Sequence, residues 1–403
     1  MAYFKTTVPQ LLRPAEGILQ HPSIAIALPG KEYSTSLWDW DTLWTARGLF
    51  RYANLTSNSA LHTQIVEHSQ GSLLNFLDHQ TADGRLPILL TTTDADPLGA
   101  VIKDDAARNQ AKPIFAQLAL LIADNASNVA WLAPHFDKLL HFYQSWMRKN
   151  LTPLGLFVWG NDIAIGDDND PTTFGRPPFS SANILLNCFF YSEFRAAAEL
   201  AQRLHRSADA DSLSRQASSL GAAIQKHCWD SRDHFFYTVD VQCVDRRAEL
   251  IPKISRGMAM SWSSLPLRIQ MFTGFLPMTF GLATPQQARQ MIETNYKRDD
   301  RFSAASGIRS LSRLESMYSL DFSSNPSNWL GPTWILVNFL VWKGFKNYGF
   351  QQEADELAAK TLRLLSDDIA TSGSMNEYYH PDTGAPLSHK GFMDWNLLVL
   401  EMI

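Results

Sequence analysis

Four aspartates, Asp162, Asp167, Asp168 and Asp170, fall within nine residues of one another in the segment Trp159–Phe179. Glycine, proline and aromatic side chains surround them, and strongly helical patterns flank the segment on both sides. Carboxyl groups set beside apolar and aromatic surface suit acid–base chemistry on a sugar. Desolvation raises one carboxyl pKa, while a more polar setting keeps its partner ionised. A calcium site is the competing use of such a cluster. An EF-hand loop needs glycine at its sixth position and glutamate at its twelfth. Counted from Asp168, those places hold Thr173 and Phe179, which excludes an EF-hand. An irregular calcium site built from Asp162, Asp167 and Asp170, or a solvated acidic loop, stays open at this point.

Three further constellations carry chemistry. Trp38-Asp39-Trp40-Asp41-Thr42 offers stacking faces beside carboxylates that accept hydrogen bonds from sugar hydroxyls, although acidic residues also suit a helix start. Asn325-Pro-Ser-Asn-Trp329-Leu-Gly331-Pro-Thr-Trp334 presents indoles and amides where a turn feeds a helix. Met375-Asn-Glu377-Tyr378-Tyr-His-Pro-Asp-Thr-Gly384 places a glutamate among aromatics just ahead of a Pro-Asp-Thr-Gly turn. Other chemistries fail on inventory. The chain has no nucleophile elbow, no phosphate loop, no dinucleotide fingerprint and no His-Glu-x-x-His. His227-Cys228 is isolated, and His380 and His389 have no metal-ligand spacing around them, so neither a metal nor any other cofactor is expected.

The elements that must hold these residues are helices. Apolar stripes at three- and four-residue steps run over about 42–54, 61–77, 113–123, 129–147, 185–204, 212–227, 285–296, 333–347 and 352–366. Ser181 is the expected cap of the 185–204 helix. Thr284 is the expected cap ahead of Pro285. Only Asp233–Asp240 alternates like a strand. Without a linker or a composition break, the expectation is one all-α domain over residues 1–403, an (α/α)6 barrel or toroid. The irregular segments 33–41, 83–112, 159–180, 301–332 and 371–392 would line a concave site at one end of its inner helices.

Composition narrows the setting. The 403 residues are 45% hydrophobic and 19% charged, which supports a large buried core. A formal net charge of −5 and the lack of any basic run argue against a nucleic-acid partner. No signal-peptide pattern and no apolar run of membrane-spanning length are apparent. The three cysteines, Cys188, Cys228 and Cys243, read as reduced thiols of a cytoplasmic protein. The sequons at Asn54, Asn125 and Asn150 read as chance matches. Twelve tryptophans are generous, and a carbohydrate cleft would use their flat apolar faces. A small carbohydrate is therefore the expected partner, with oligomerisation left open.

The four constellations, in their order, resemble glycoside hydrolase family 63. The likeness is to its compact bacterial branch of mannosylglycerate and glucosylglycerate hydrolases, with trehalases as more distant relatives. The resemblance runs from about residue 33 to the C-terminus. It implies an (α/α)6 barrel whose enzymes hydrolyse α-glycosides with inversion. The family's Gly-x-Asp-Asn acid falls on Asp168, and its glutamate base on Glu377. Trp40 and Asp41 match the pair that holds the sugar, and Trp329 matches a sugar-stacking tryptophan. Trp38, Trp159, Asn328, Gly331 and Tyr378 complete the expected sugar contacts. The family's early glutamine falls on Gln110 or Lys112, since the stretch here reads Asn109-Gln-Ala-Lys-Pro113. Arg176 matches an arginine that holds a substrate carboxylate, but the companion tyrosine position is Ala182. A sugar epimerase, which would need paired catalytic histidines, and a non-catalytic sugar-binding protein are the alternatives.

Overall fold

The computed structural model describes residues 1–99, 102, 106–243, 251–253, 262–321 and 327–403. Parts of the expected site loops 83–112 and 301–332, including Asn325 and Pro326 of the third constellation, lie outside the described residues.

After a short N-terminal helix α1 (Ala2–Thr7), the apolar stripes become helices close to where they were expected. These are α2 (Asp39–Leu55), α3 (Ser59–Asp78), α4 (Phe115–Ala126), α5 (Phe136–Asn150), α6 (Ile184–Arg203) and α7 (Ser207–Cys228). There follow α8 (Leu276–Thr279), α9 (Pro285–Met291), α10 (Ile335–Asn347), α11 (Gln351–Ser372) and a final 3₁₀ helix, Asp394–Met402. The 129–147 stripe is broken. Ala130–His135, with Pro134 inside it, winds as a 3₁₀ helix before α5 begins. Thr284 caps α9 in a full capping box with Gln287. Ser181 does not cap α6. Asn183 takes that place, accepting from the Leu186 amide, while Ser181 pairs as a strand residue with Asp240.

Packing order shows the architecture. Helix α2 packs on α4, α4 on α6, α6 on α8, α8 on α10, α10 on the 394–402 helix, and that helix on α2. The inner ring is therefore closed. Helix α3 packs outside α2 and α4, α7 outside α6, and α11 outside α10. Phe142 and Tyr143 of α5 reach Phe115 of α4 and Phe194 of α6. This is an all-α (α/α)6 barrel. An inner helix has neighbours on every side, so it reads apolar all round: Ile335 through Val341 of α10 are all buried. One continuous hydrophobic core runs from Phe4 to Met402. Among the described residues no helix is long and apolar enough to cross a membrane.

The expected 233–240 strand is split in two. Phe235–Phe236 pairs with Trp229–Asp230, and Val239–Asp240 pairs with both Ser181–Ala182 and Leu265–Pro266. Such two-residue ladders pin the loops and build no layer of their own.

Ring closure leans on Gly48. A Cβ added there would stand 2.3 Å from Leu397 Cβ, so α2 and the last helix meet backbone to side chain. Alanine in an open helix position gains about 1 kcal/mol over glycine. Here overpacking costs about 1–3 kcal/mol or more and outweighs that gain. Gly48→Ala is expected to lower stability on balance, read as a lower denaturant midpoint with unchanged m-value. A stabilised variant would contradict the close approach.

Candidate active site

A cleft opens where the loops meet the first turn of α2. Trp38, Trp40 and Asp41 line it from that turn, Asp168 from the acidic segment, and Glu377 from the loop after α11. Tyr33, Lys112, Ser327, Phe392 and Trp395 complete most of its wall. Asp168 and Glu377, far apart in sequence, thus face one cavity.

Each aspartate of the acidic segment has a different task. Asp162 accepts from the Gly175 amide at 2.7 Å and stays near the surface. Asp170 accepts from the Thr172 amide and hydroxyl and from Asn183 Nδ2 at 2.9 Å, which ties the loop to the cap of α6. Asp167 is fully buried against Asp170. Burial first, then the Asp170 charge, pushes its pKa well up, so it carries the proton that two carboxyl groups in contact require. Asp168 reaches the cleft. Burial lifts it to about 6, against the opposing pull of Lys112 and of hydrogen bonds from Ser327 and the Gly166 backbone, with Glu377 adding to the rise. Asn169 joins two loops: its Nδ2 donates to Asn328 Oδ1 at 3.1 Å, and its Oδ1 accepts from the Trp329 amide at 2.7 Å. Among the described residues no three metal-ligating side chains converge.

Opposite lies a second carboxyl pair. Asp41 is raised by burial and shares its environment with Asp394, which is itself pushed well up by burial and by Asp41. Thr45 donates to Asp394 at 2.9 Å. Lys112 is the buried cation among these groups. Its Nζ lies 3.0 and 3.3 Å from the two oxygens of Asp39, and its backbone amide donates to Asp39 at 2.7 Å. The same ammonium sits 5.4 Å from the Trp40 ring centre.

Glu377 is 4% exposed and held on one side. Ser388 Oγ donates to its Oε2 at 3.1 Å, and His389 Nδ1 lies 2.5 Å from the same oxygen. Asn376 next to it is anchored to Asp368 of α11, and Asn396 donates to the Asn376 carbonyl at 2.8 Å.

Several residues expected at the sugar sit elsewhere. Gln110 turns to Ser145 and a neighbouring cavity, while Lys112 occupies the cleft wall. Trp159 is buried against Trp146. Arg176 is ion-paired with Asp240 and donates to Ser181, away from the cleft. Trp329 lies fully buried beneath the floor, stacked on Trp334 with ring centres 4.0 Å apart, so neither of its faces is open to a sugar. Tyr378 packs on the same Trp334. Asn328 receives the Trp334 indole N–H and supports the loop. Gly331, at φ 146°, makes room for Tyr318, whose ring a Cβ there would meet at 2.5 Å. Sequence reasoning passed over Tyr33, Phe392, Trp395, Asp394 and His389. Trp395 and Asp394 carry the same Asp-Trp signature as residues 39–40, and that repeat was the one signal available for them.

A closed (α/α)6 ring with carboxyl groups facing each other across an aromatic cleft defines a barrel suited to carbohydrates. The chain belongs to the mannosylglycerate hydrolase MGH1-like glycoside hydrolase family, whose domain matches residues 35–394. It is 31% identical over 140 residues to the mannosylglycerate hydrolase of Thermus thermophilus, a stretch covering 34% of this chain and 31% of that protein. The chain thus aligns with about a third of that relative's length. Among solved structures it is similar to a GH63 mannosylglycerate hydrolase of Thermus thermophilus in complex with glucose. The TM-score there is 0.71 at 19% identity, covering 98% of each chain. Neutral trehalase Nth1 from Saccharomyces cerevisiae shares the fold, with TM-score 0.62 and 17% identity over 95% of this chain and 74% of that one.

Removing one partner of a buried ion pair costs about 3–5 kcal/mol, because the other charge is left uncompensated. Lys112→Met is expected to lose that much stability in urea unfolding. The double variant Asp39→Asn/Lys112→Met should recover most of it. Equal stability of the single variant and wild type would refute the buried pair.

Proposed function

We propose that this chain is an inverting glycosidase acting on a small α-glucoside or α-mannoside. Glucosylglycerate-like compounds and short gluco-oligosaccharides lead the substrate candidates, ahead of trehalose. Asp168 is the general acid and Glu377 the general base, and residues 1–403 act as one catalytic unit. The observation that carries the reading is the unlike pair facing one cleft. Asp168 is lifted to about 6 by burial, while Glu377 is held by a histidine and a serine hydroxyl. In an inverting mechanism the protonated carboxyl gives its proton to the leaving oxygen. The other carboxylate takes one from the attacking water, with about 6.5–9.5 Å between the two groups. Trp38 and Trp40 provide the stacking wall, and Asp41 accepts from sugar hydroxyls. The Thermus relative has also been solved with Tris and D-glycerate, which brings a glycerate aglycone into consideration here. In this chain Lys112 lines the cleft and Arg176 does not, but the Lys112 ammonium is already held by both oxygens of Asp39. No histidine lines the cleft among the described residues, so an epimerase that works through paired histidines draws no support.

An NMR time course on α-linked disaccharides and glycosyl-glycerates tests the reading. The β-anomer is expected first, and initial release of the α-anomer would contradict inversion. Asp168→Asn and Glu377→Gln should each lower kcat by about 10²–10⁴ with the fold retained. Substantial turnover in both would point to a non-catalytic sugar-binding protein. The pH profile follows from Asp168, which must be protonated to act. Activity is present below its pKa and is lost as pH rises through about 6. A profile still flat at pH 8 would remove Asp168 from the acid role.

A further inference from the structure

The imidazole of His389 stands outside the expected constellations, yet it makes the shortest contact of Glu377. Its Nδ1 is 2.5 Å from Glu377 Oε2 and 2.9 Å from Ser388 Oγ, which donates to the same Oε2 at 3.1 Å. Both groups converge on one oxygen. Among the described residues no hydrogen bond reaches Oε1. The histidine is itself held. Tyr33 packs edge-on at 5.1 Å between ring centres, with its hydroxyl 3.4 Å from Nδ1. The charged or titratable groups facing the imidazole are Glu377, Tyr33 and the exposed Glu32. Glu377 raises the pKa of His389 against the opposing effect of burial. Ser388 and His389 arrive because the chain folds back on itself here: the Glu377 amide donates to the Ser388 carbonyl, and Leu387 donates to Tyr378.

We propose that His389 is a positioning residue for Glu377: with Ser388 it clamps Oε2, so that Oε1 is the atom presented to the attacking water. The inference rests on the assignment of Glu377 as base. In that step Oε1 takes a proton as the water oxygen bonds to the anomeric carbon. The glycosidic C–O bond breaks, and its oxygen takes the proton of Asp168. A cation beside a base lowers its proton affinity, so the gain must lie in orientation. Misplacement by 1 Å costs about 10²-fold in rate.

His389→Ala is therefore expected to lower kcat by about 30–100-fold with KM within about threefold, the split that lost orientation produces. His389→Asn, whose amide nitrogen falls close to the Nδ1 position, should recover kcat to within about fivefold of wild type. Wild-type kcat in folded His389→Ala, or His389→Asn as impaired as His389→Ala, would overturn the proposal. The amide variant at 377 separates the two levels. If Glu377→Gln is inactive while His389→Ala is unimpaired, only this inference fails; if Glu377→Gln turns over freely, the base assignment fails and takes this inference with it. A substrate-free readout stands beside these. By NMR the His389 imidazole should titrate above an ordinary histidine in the wild type and return toward it in Glu377→Gln. An unmoved titration would overturn the contact.

Discussion

One buried ammonium governs the mouth of this barrel. Without Lys112, the first turn of α2 and the acidic segment would face each other as a field of carboxyl groups, Asp39, Asp41, Asp168 and Asp394, with no cation among them. Buried charges of one sign either pair or take up protons. Both outcomes occur here. Asp39 pairs with Lys112, whereas burial and a carboxyl neighbour push Asp167 and Asp394 well up. Asp168 sits between these regimes, lifted by burial and drawn down by the same lysine. Lys112 thus pulls against the burial that raises Asp41 and Asp168, while Asp167 and Asp394 are raised without it.

The helices could be read from the sequence because an apolar stripe with a three-to-four step has one simple use, and the toroid follows when every element is such a stripe. The two facing carboxyls were placed by the family resemblance, which singled out Asp168 among four like aspartates and Glu377 ahead of the Pro-Asp-Thr-Gly turn. The sugar wall was read less well. A tryptophan beside an acidic residue looks the same in sequence whether it lines the cleft, as Trp40 does, or is covered, as Trp329 is under Trp334. Arg176 could be a carboxylate ligand or a structural ion pair in sequence; its partner Asp240 lies 64 residues away and reaches it only through a strand pairing that spacing alone does not reveal. His389 was invisible for the same cause. Its relation to Glu377 exists only once the chain doubles back.

Between helices and cleft, asparagine does most of the joining. Asn169 and Asn328 bind two loops, Asn183 caps α6, Asn187 closes on both backbone groups of Phe157, and Asn376 with Asn396 fixes the segment holding Glu377. An amide carries donor and acceptor on one short stem, so it can satisfy irregular backbone without adding charge. That neutrality matters in a mouth already crowded with carboxyl groups.

The closed inner ring has a consequence for the order in which the protein forms. Helix α2 and the 394–402 helix are neighbours in space yet about as far apart along the chain as its length allows. Contacts of such separation form late, after the entropy of closing the intervening loop has been met by local packing. Trp40 and Asp41 wait on Trp395 and Asp394, and the clamp on Glu377 arrives with the same last stretch. A growing or partly folded chain would therefore display helices long before it possesses a pocket. Any truncation, cleavage or delay near its end would open the inner ring and leave the cleft unformed together.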